Sequence, residues 1–471
     1  MKNFSNEKLI ENLHETLSKS SLSIDKIISL EQLTTGNSRN TYKVRVKTRN
    51  KEIFIALRLN HNSKNQFESP EYHLKPSEEA KVIQAVKEAG VPTPKIMHVF
   101  NKSDGLGEGY LMNWISGETI GGKISRSKKF AKIRKRLASQ CGEYLGKIHK
   151  VDLKKHELEK IVPKKNPEKF IRILLNYCHK MNIHLPVIDY TAQWLLENPA
   201  EHRKTSLVHN DFRNGNLIIS PKTGIKAVID WEIAHLGNPI RDLGWLCTKS
   251  WRYGVPQKEV GGFGTLRQLL DSYKMVTEYR ITPEELRYWM VFGSFWWAIG
   301  CLSVSGLLSK SSSADIEKIA ISRRVTECEL DCATYLFTGK SKMAHIHRQA
   351  QKPLNKKNSI LNSIESFINC NLTEATDTRR RYTTKIALNC LQIAKRERLY
   401  QREFEDNEYN RLRRLLNKTD SLENLRKILC SKIREGEISI NDKLLKNHLL
   451  ETSFGNSIIN QPEYPSIKKF L

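Results

Sequence analysis

Residues 207–230 constrain the fold of this chain more than any other segment. They read LVHNDFRNGNLIISPKTGIKAVID, in which a polar loop separates two short apolar runs and a third apolar run ends in an aspartate. Short apolar runs bounded by Asn, Gly and Pro are typical of buried strands. The segment therefore predicts two short strands around a polar loop, followed by a buried strand that ends at Asp230.

The polar residues of this segment have the spacing that kinase-type phosphoryl transfer requires. The pattern is H-x-D-x-x-x-x-N, from His209 through Asp211 to Asn216, followed by Asp230 at the end of a strand. Such transfer needs one carboxylate that receives the proton of the acceptor hydroxyl, and oxygen ligands for the Mg²⁺ ions that bridge the phosphates of ATP. We predict Asp211 as the catalytic base, and Asn216 and Asp230 as metal ligands. An Asn- and Asp-rich turn is the alternative explanation.

Features earlier in the chain follow in the order expected of a kinase. A small-residue turn should cover the phosphates of ATP, Arg58 on a predicted strand should contact them in place of the usual lysine, and Glu79 on the next helix should pair with Arg58. The end of a further strand, within residues 110–115, should lie against adenine. The residues of the turn are Thr35, Gly36, Asn37 and Ser38, and those of the strand end are Met112, Asn113 and Trp114.

The pattern along the chain predicts an α+β, two-lobed, protein-kinase-like fold followed by a small all-α domain. Residues 1–30 are predicted as one helix, and residues 41–46 and 52–59 alternate as two strands of a hairpin. A polar, basic stretch without apolar period is predicted as a linker. The predicted regions are an N-terminal lobe at 1–115, a C-terminal lobe with the catalytic loop and acceptor site at 116–340, the linker at 341–358 and the helical domain at 359–471.

Composition narrows the classes of partner and compartment. The net charge is +27, which favours polyanionic partners such as nucleotides, coenzyme A or nucleic acid, or else reflects a solvated basic surface. Nine cysteines without zinc spacing, and no apolar core of signal-peptide length, predict a reduced, cytoplasmic protein. Residues 289–308 lack charge, but their Ser, Gly and Cys content favours a buried core helix over a membrane span.

The motifs resemble the aminoglycoside phosphotransferase and choline kinase-like family, over about residues 25–337. LVHNDFRNGNLII and VIDWEIAHLGNPIRDLGWL carry the resemblance. It implies a two-lobed kinase fold and an ATP- and Mg²⁺-dependent enzyme that phosphorylates a small-molecule hydroxyl. One branch is most similar, the 4-hydroxyacyl-CoA kinases together with the kinase domain fused to some acyl-CoA dehydrogenases. The matching residues are Thr35, Gly36, Ser38, Thr41, Tyr42, Trp231, Glu232, Ala234, Gly237, Pro239, Asp242, Leu243 and Trp245.

Several roles follow from this resemblance. It implies the 4-hydroxyl of a hydroxyacyl-CoA as acceptor, in the catabolism of 4-hydroxy acids. Asn210 stands where the family usually has a smaller residue, which a loop should tolerate but which could narrow the acceptor pocket. The residues expected to support the catalytic loop are His209, Arg213 and Asp242. The candidates for the acceptor site are Trp231, Glu232, Trp296 and Trp297, the last two as a wall for an acyl chain.

Other partners and functions stay open at this point. A basic cluster of seven residues could contact the phosphates of the coenzyme or be a solvated helix face. The C-terminal helices resemble an uncharacterised companion domain of such kinases and could serve a homodimer or the next pathway enzyme. The acceptor could instead be an aminoglycoside, choline or homoserine, and a non-catalytic nucleotide- or nucleic-acid-binding protein is the remaining alternative, although no nucleic-acid motif is evident. The cluster is Arg126, Lys128, Lys129, Lys132, Arg134, Lys135 and Arg136.

Overall fold

The structure is a computed structural model, and its description divides into two compact units. The described residues are 6–18, 24–33, 39–49, 51–60, 73–201, 203–305, 316–351, 360–374 and 377–471. The first unit comprises residues 1–166 and 201–289, and the second comprises residues 167–200 and 290–471. These units divide the chain at points other than the predicted region boundaries.

Strands lie in the first unit, whereas helices occur in both. The strands are β1 Ile24–Leu33, β2 Arg39–Thr48, β3 Glu52–Asn60, β4 Ile96–Val99, β5 Gly109–Asn113, β6 Ser206–Val208, β7 Leu217–Ser220, β8 Gly224–Val228 and β9 His235–Gly237. The helices are α1 Asn6–Ser18, α2 Pro76–Glu88, α3 Gly121–Arg126, α4 Ala131–His149, α5 Leu158–Ile161, α6 Pro167–Lys180, α7 Pro186–Glu197, α8 Ile240–Cys247, α9 Leu266–Thr277, α10 Pro283–Ser305, α11 Ile316–Ser322, α12 Val325–Leu336, α13 Ala344–Ala350, α14 Ile360–Glu374, α15 Thr378–Leu416, α16 Leu422–Arg434 and α17 Lys443–Asn460.

A five-stranded antiparallel sheet, in the order β1-β2-β3-β5-β4, begins the first unit. One face of the sheet packs against α1, where Leu13 joins Val44 and Leu57 in a buried cluster. Successive strand residues point to opposite faces, so Arg58, which follows Leu57, lies on the other face. The sheet therefore has one apolar face for its core and one face free to carry charged residues of a site.

The prediction of one helix over residues 1–30 is wrong, because α1 ends at Ser18 and β1 begins at Ile24. Two irregularities in the pairing with β2, after Ile24 and after Ile27, explain the error. Each β-bulge shifts the alternation by one residue, so the buried positions of β1 recur every third residue, as they would in a helix. Apolar periodicity alone could not distinguish the two structures.

Helices α4 and α9 approach each other closely in the first unit. A Cβ atom added to Gly142 would lie 2.2 Å from the carbonyl oxygen of Leu269, and one added to Gly146 would lie 2.7 Å from Cβ of Val276. Such distances are shorter than a side chain allows, so both positions require glycine if the two backbones are to keep this spacing.

The second unit is helical, and its core joins α7, α12, α15, α16 and α17 around Phe454 and Leu429. Helix α13 lies within the stretch predicted as a linker, and this part of that prediction is corrected. The backbone N–H of Ser341 donates to the carbonyl of Phe470, and that of Lys342 donates to Glu451 Oε1. Met343, Ile346 and Ala350 of this segment are also buried in the same core, and three apolar residues in so short a helix do not stand out as a pattern in the sequence.

Residues 289–305 of the uncharged stretch form most of α10, as predicted for a core helix. Phe292, Phe295 and Ile299 are buried there. None of the helices in the described ranges is long and apolar enough to cross a membrane. Seven of the nine cysteines are buried.

Candidate active site

Asp242 fixes the backbone at the start of the predicted catalytic loop. Its two carboxylate oxygens accept hydrogen bonds from the backbone N–H groups of His209 and Asn210, each at 2.8 Å. Nε2 of His149 lies 3.1 Å from Oδ2 of the same fully buried carboxylate. Asp242 thus has the structural setting expected of a residue that supports the loop, because the chain cannot shift there without losing several bonds to a buried charge.

Asn210 is fully buried in the loop. Its φ of 73° lies in the left-handed region, which Asn tolerates better than most residues. Its side-chain oxygen accepts a hydrogen bond from Nε of Arg241. The loop thus accommodates this residue, and its effect on an acceptor pocket stays a prediction.

The carboxylate of Asp211 is held by three donors. Oδ1 accepts hydrogen bonds from Nε of Arg213 and Nε1 of Trp245, both at 2.8 Å, and Oδ2 accepts one from Nδ2 of Asn216 at 2.7 Å. Burial raises the pKa of Asp211, while Arg213 opposes this shift. The group is thus oriented, and its basicity is increased towards that of a useful proton acceptor. The donor role of Trp245 was not anticipated from the sequence.

His209 supports the same loop through both ring nitrogens. Nδ1 accepts a hydrogen bond from the backbone N–H of Asp211 at 3.2 Å, so the proton belongs on Nε2, which lies 3.1 Å from the carbonyl of Ile229. The imidazole therefore joins the base-carrying loop to the strand that leads to Asp230. Arg213 completes the support, because its guanidinium lies 4.5 Å above the ring of Trp251.

Asn216 and Asp230 present the oxygen atoms that the predicted metal site requires. Asn216 uses its amide nitrogen towards Asp211, and its backbone carbonyl accepts a hydrogen bond from the N–H of Ile229 at 2.9 Å. Asp230 follows with a φ of 70°, and about a third of its side chain is exposed. A carboxylate and an amide oxygen suit Mg²⁺, which takes few protein ligands. Within the described residues no cluster of three or more His, Cys, Asp or Glu offers a rival metal site.

A buried charge cluster lies beside Asp230. Nη2 of Arg58 donates to Glu232 Oε2 at 2.8 Å and to Asp230 Oδ1, whereas Nη1 lies 3.5 Å from Glu79 Oε1. The predicted pairing of Arg58 with Glu79 is present, but it is the longest of these contacts. Burial by itself lowers the pKa of Arg58. Glu79 and the other carboxylates raise that pKa by more than burial lowers it, so the guanidinium stays charged. The nearer counter-ions of Arg58 are Asp230 and Glu232, which come shortly after strand β8.

Arg39 is a second buried cation, and the sequence analysis missed it. It donates to Glu79 Oε2 and to the carbonyl of Leu74, and its Nε lies 3.5 Å from Glu232 Oε2. The alternation of side chains along the strand was the available signal. Thr41 pairs with Arg58 in the sheet, and Arg39 lies two residues before Thr41, so all three side chains lie on the same face. Extending the predicted strand by two residues would have placed both cations on one face.

Two of the acceptor-site candidates are placed elsewhere. Trp231 is fully buried, its ring centroid lies 4.3 Å from that of His209, and its Nε1 donates to the carbonyl of Val228 at 3.3 Å. Glu232 is buried against Arg58. Neither side chain is therefore placed to line an acceptor site, since one is core and the other neutralises a cation.

Trp296 and Trp297 lie on α10 in the second unit, and both are half-buried. The guanidinium of Arg324 lies 6.0 Å from the ring centroid of Trp297. Their role as an acceptor wall stays a prediction.

The residues predicted to lie against adenine are at the end of β5, an internal strand of the five-stranded sheet. Met112 pairs with Ala56 of β3, the N–H of Asn113 donates to the carbonyl of Lys95 at 3.1 Å, and the N–H of Trp114 donates to the carbonyl of Phe54 at 3.3 Å. The turn at residues 35–38 lies outside the described residues, so its contact with phosphates remains a prediction.

Comparison with known proteins assigns the chain to a family. The pattern of the phosphotransferase enzyme family, APH, matches residues 29–275, about half of the chain. The chain belongs to this family. The pattern of a domain of unknown function, DUF6285, matches residues 374–464. The match confirms the predicted enzyme class, a phosphotransferase.

Relatives in sequence match the same part of the chain. Acyl-CoA dehydrogenase family member 10 of Mus musculus is 28% identical over 229 residues, which are 47% of this chain and 20% of that protein. Acyl-CoA dehydrogenase family member 11 of Pongo abelii is 26% identical over 216 residues, 41% of this chain and 26% of that protein. The chain thus spans about a quarter or less of the length of these relatives.

A solved structure supports the fold. A putative aminoglycoside phosphotransferase from Ralstonia eutropha JMP134 superposes with a TM-score of 0.55 and 20% identity, covering 69% of this chain and 97% of that one. The predicted kinase-like fold is confirmed on this basis.

Proposed function

We propose that this phosphotransferase transfers the terminal phosphoryl group of ATP to the hydroxyl of a hydroxyacyl-CoA, most specifically to a 4-hydroxyl. The observation that carries the chemistry is the carboxylate of Asp211, which three donors orient and burial makes more basic. An alcohol must lose its proton as it attacks phosphorus, and a fixed carboxylate beside the metal ligands supplies the acceptor for that proton.

Each residue of the site has one task in this proposal. Asp211 orients the acceptor hydroxyl and receives its proton. Asn216 and Asp230 hold Mg²⁺, which supplies positive charge to the phosphates when it is bound. Arg58 adds a fixed cation for the phosphates, and Glu232 keeps that cation in place when Asp230 turns to the metal. Positioning and charge stabilisation provide most of the rate.

The coenzyme A thioester is supported by the relatives and by charge. The chain matches parts of proteins that are named acyl-CoA dehydrogenases. Its net charge of +27 suits a substrate that carries three phosphates. Polycationic acceptors such as aminoglycosides would instead call for an acidic cleft.

Product mass after incubation with Mg-ATP tests the proposal directly. The panel is 4-hydroxypentanoyl-CoA, 3-hydroxybutyryl-CoA, choline, homoserine and kanamycin. We expect a phosphoryl adduct on 4-hydroxypentanoyl-CoA. Asp230→Asn keeps the size of the side chain but removes its charge, so it should form no adduct. Asp271→Asn, on an exposed carboxylate of α9, is the matched control and should behave as wild type.

The remaining outcomes separate chemistry from substrate. An adduct on choline or kanamycin alone would keep the phosphotransferase and reject the acyl-CoA. An adduct formed equally by wild type and Asp230→Asn would reject the assignment of the metal ligand.

A further inference from the structure

A positive surface lies on α3, α4 and the 3₁₀ turn Lys128–Phe130 between them. The sequence has no Asp or Glu from residue 119 to residue 142. Within the part of the chain that the structure describes, the lysines and arginines of residues 123–136 form one salt bridge, between Lys123 and Glu118 at 3.5 Å. We call the set the basic surface. Its exposed members are Lys123, Arg126, Lys128, Lys129, Lys132, Lys135 and Arg136.

The basic surface is not explained by helix stability. Lys132 and Lys135 lie in the first turns of α4, where the positive end of the helix dipole disfavours cations. Like charges three and four residues apart also repel each other on a helix. Arg134 differs from the others, because its Nη1 donates to the carbonyls of Ile124 and Ser127 at 3.1 and 2.7 Å. The remaining cations are arranged at a cost that an anionic ligand would offset.

One end of the basic surface is joined to the catalytic loop. Oγ of Ser125 in α3 donates to the carbonyl of Gly261 at 3.1 Å. Nδ2 of Asn214 donates to the same carbonyl at 2.8 Å. Asn214 is the third residue after Asp211. These hydrogen bonds place α3, at one end of the basic surface, next to the loop that carries the predicted base.

The other end of the basic surface borders a groove between α4 and α9. Its volume is about 390 Å³, within the range of small-molecule sites. Lys135, Arg136 and Glu143 line it on the side of α4, and Met275 and Val276 provide apolar surface on the other. The carboxylate of Glu143 is paired with Nζ of Lys147 at 2.6 Å. Met275 is 85% exposed, which is unusual for this residue type. Cations next to an apolar floor suit the phosphates and the base of a nucleotide.

We propose that the basic surface binds the phosphorylated nucleotide end of a coenzyme A thioester. The phosphates contact the cations from Lys128 to Arg136, and the adenosine occupies the groove beside Met275. The pantetheine arm then directs the acyl group towards the end of the surface that adjoins the catalytic loop. This inference rests on the proposed function, because it assigns the part of that substrate that does not react.

Binding of free coenzyme A to the intact chain tests the surface without turnover. Calorimetry is carried out with a saturating non-hydrolysable ATP analogue, so that the ATP site is filled. The variant K128Q/K129Q/K132Q should weaken binding roughly tenfold or more, because three charge contacts are lost. K154Q/K164Q/K222Q removes the same charge from exposed lysines elsewhere in the first unit and should bind as wild type. Met275→Glu should also weaken binding, through repulsion of the phosphates.

Equal affinity of the two triple variants for coenzyme A would overturn the proposal that the basic surface binds the nucleotide. So would binding of pantetheine as tight as that of coenzyme A, since pantetheine lacks the nucleotide. A preference of the surface for random duplex DNA over coenzyme A, with a steep salt dependence, would assign it to a different partner and also reject the proposal.

Kinetics with two esters separates this inference from the proposed function. K128Q/K129Q/K132Q should raise KM for 4-hydroxypentanoyl-CoA roughly tenfold with kcat unchanged, and should leave 4-hydroxypentanoyl-pantetheine unaffected. If the wild type phosphorylates the CoA ester and the variant has the same KM, the surface is rejected and the function stands. If the wild type phosphorylates no CoA ester but coenzyme A binding still depends on these lysines, the function is rejected and the surface stands.

Discussion

Both units bury acidic side chains, but they treat the charge differently. In the first unit the guanidiniums of Arg39 and Arg58 contact Glu79 and Glu232. Burial raises the pKa of Glu232, but the bond with His73 and the two arginines outweigh it and hold that pKa below its usual range. In the second unit burial raises the pKa of Glu329 to about 7.

The difference shows how a site for phosphates can be separated from a helical core. In the first cluster the pKa of Glu232 is held low, while burial raises the pKa of Glu79 against the effect of its two arginines, and part of the Asp230 side chain stays exposed. In the second unit Glu329 lies near the ion pair of Glu408 with Arg426, and burial and nearby arginines lower the pKa of His448 to about 3. A charged ligand can meet the exposed part of Asp230, whereas the charge of Glu329 responds to pH.

Asp211→Asn tests the difference at its strongest point. The amide keeps the shape of the side chain but cannot accept the proton, so kcat should fall by about 10²- to 10⁴-fold. Glu329→Gln, a change of the same kind in the second unit, should leave kcat unchanged. Single-turnover phosphoryl transfer from Mg-ATP provides the measurement. Turnover of Asp211→Asn within a factor of about two of wild type would reject Asp211 as the base.

Arg39→Met should break the charge balance of the first unit. It removes the close partner of Glu79 and leaves a buried carboxylate with Arg58 at 3.5 Å, so the free energy of unfolding should fall by about 3–5 kcal/mol. Urea denaturation, with the fluorescence of tryptophan as the signal, measures this change.

Arg45→Met is the matched control for Arg39→Met, because Arg45 lies on the same strand and pairs with Glu52 at the surface. An exposed pair of this kind contributes about 0–1 kcal/mol. Similar losses in the two variants would mean that the buried pair has no special weight.

Glu329→Gln should remove a pH dependence from the second unit. The ordinary pKa of this side chain is 4.5 and the folded value is about 7, so the folded chain keeps a proton that the unfolded chain loses between these limits. The stability contributed by Glu329 is full below pH 4.5 and is lost as pH rises through 7, with a slope of up to about 1.4 kcal/mol per pH unit.

Urea denaturation at pH 5, 6 and 7 gives the free energy of unfolding of Glu329→Gln and of wild type. Amide hydrogen exchange in α12 is then compared for the two proteins. The variant should depend less on pH over this range. Parallel curves for the two proteins would show that Glu329 titrates normally.

The sequence was informative where chemistry depends on short spacing. His209, Asp211, Asn216 and Asp230 lie within 22 residues, so their order along the chain largely determines how they meet. Arg39 and Glu79 are 40 residues apart, and their contact depends on how β2 and α2 pack in three dimensions. That pairing has no local pattern, which is why it was missed.

Other errors share a physical origin, in that tertiary pairing overrides local preference. The bulges of β1 produced a helix-like period, and α13 is held by bonds from Ser341 and Lys342 to distant residues. Trp231 and Glu232 are predicted as acceptor-site candidates from the family resemblance. Backbone direction beyond Asp230 turns both side chains inward, and a residue's place along the chain could not reveal this.

The close approach of α4 and α9 at Gly142 and Gly146 has a consequence for ligand affinity. Because the two backbones are in contact, the width of the groove beside Met275 is set before any ligand arrives. Preorganisation of this kind reduces the ordering entropy that binding would otherwise lose. Replacing either glycine with a larger residue would push the two helices apart and make the width of the groove variable. The affinity for coenzyme A would then decrease although every cation of the basic surface is retained.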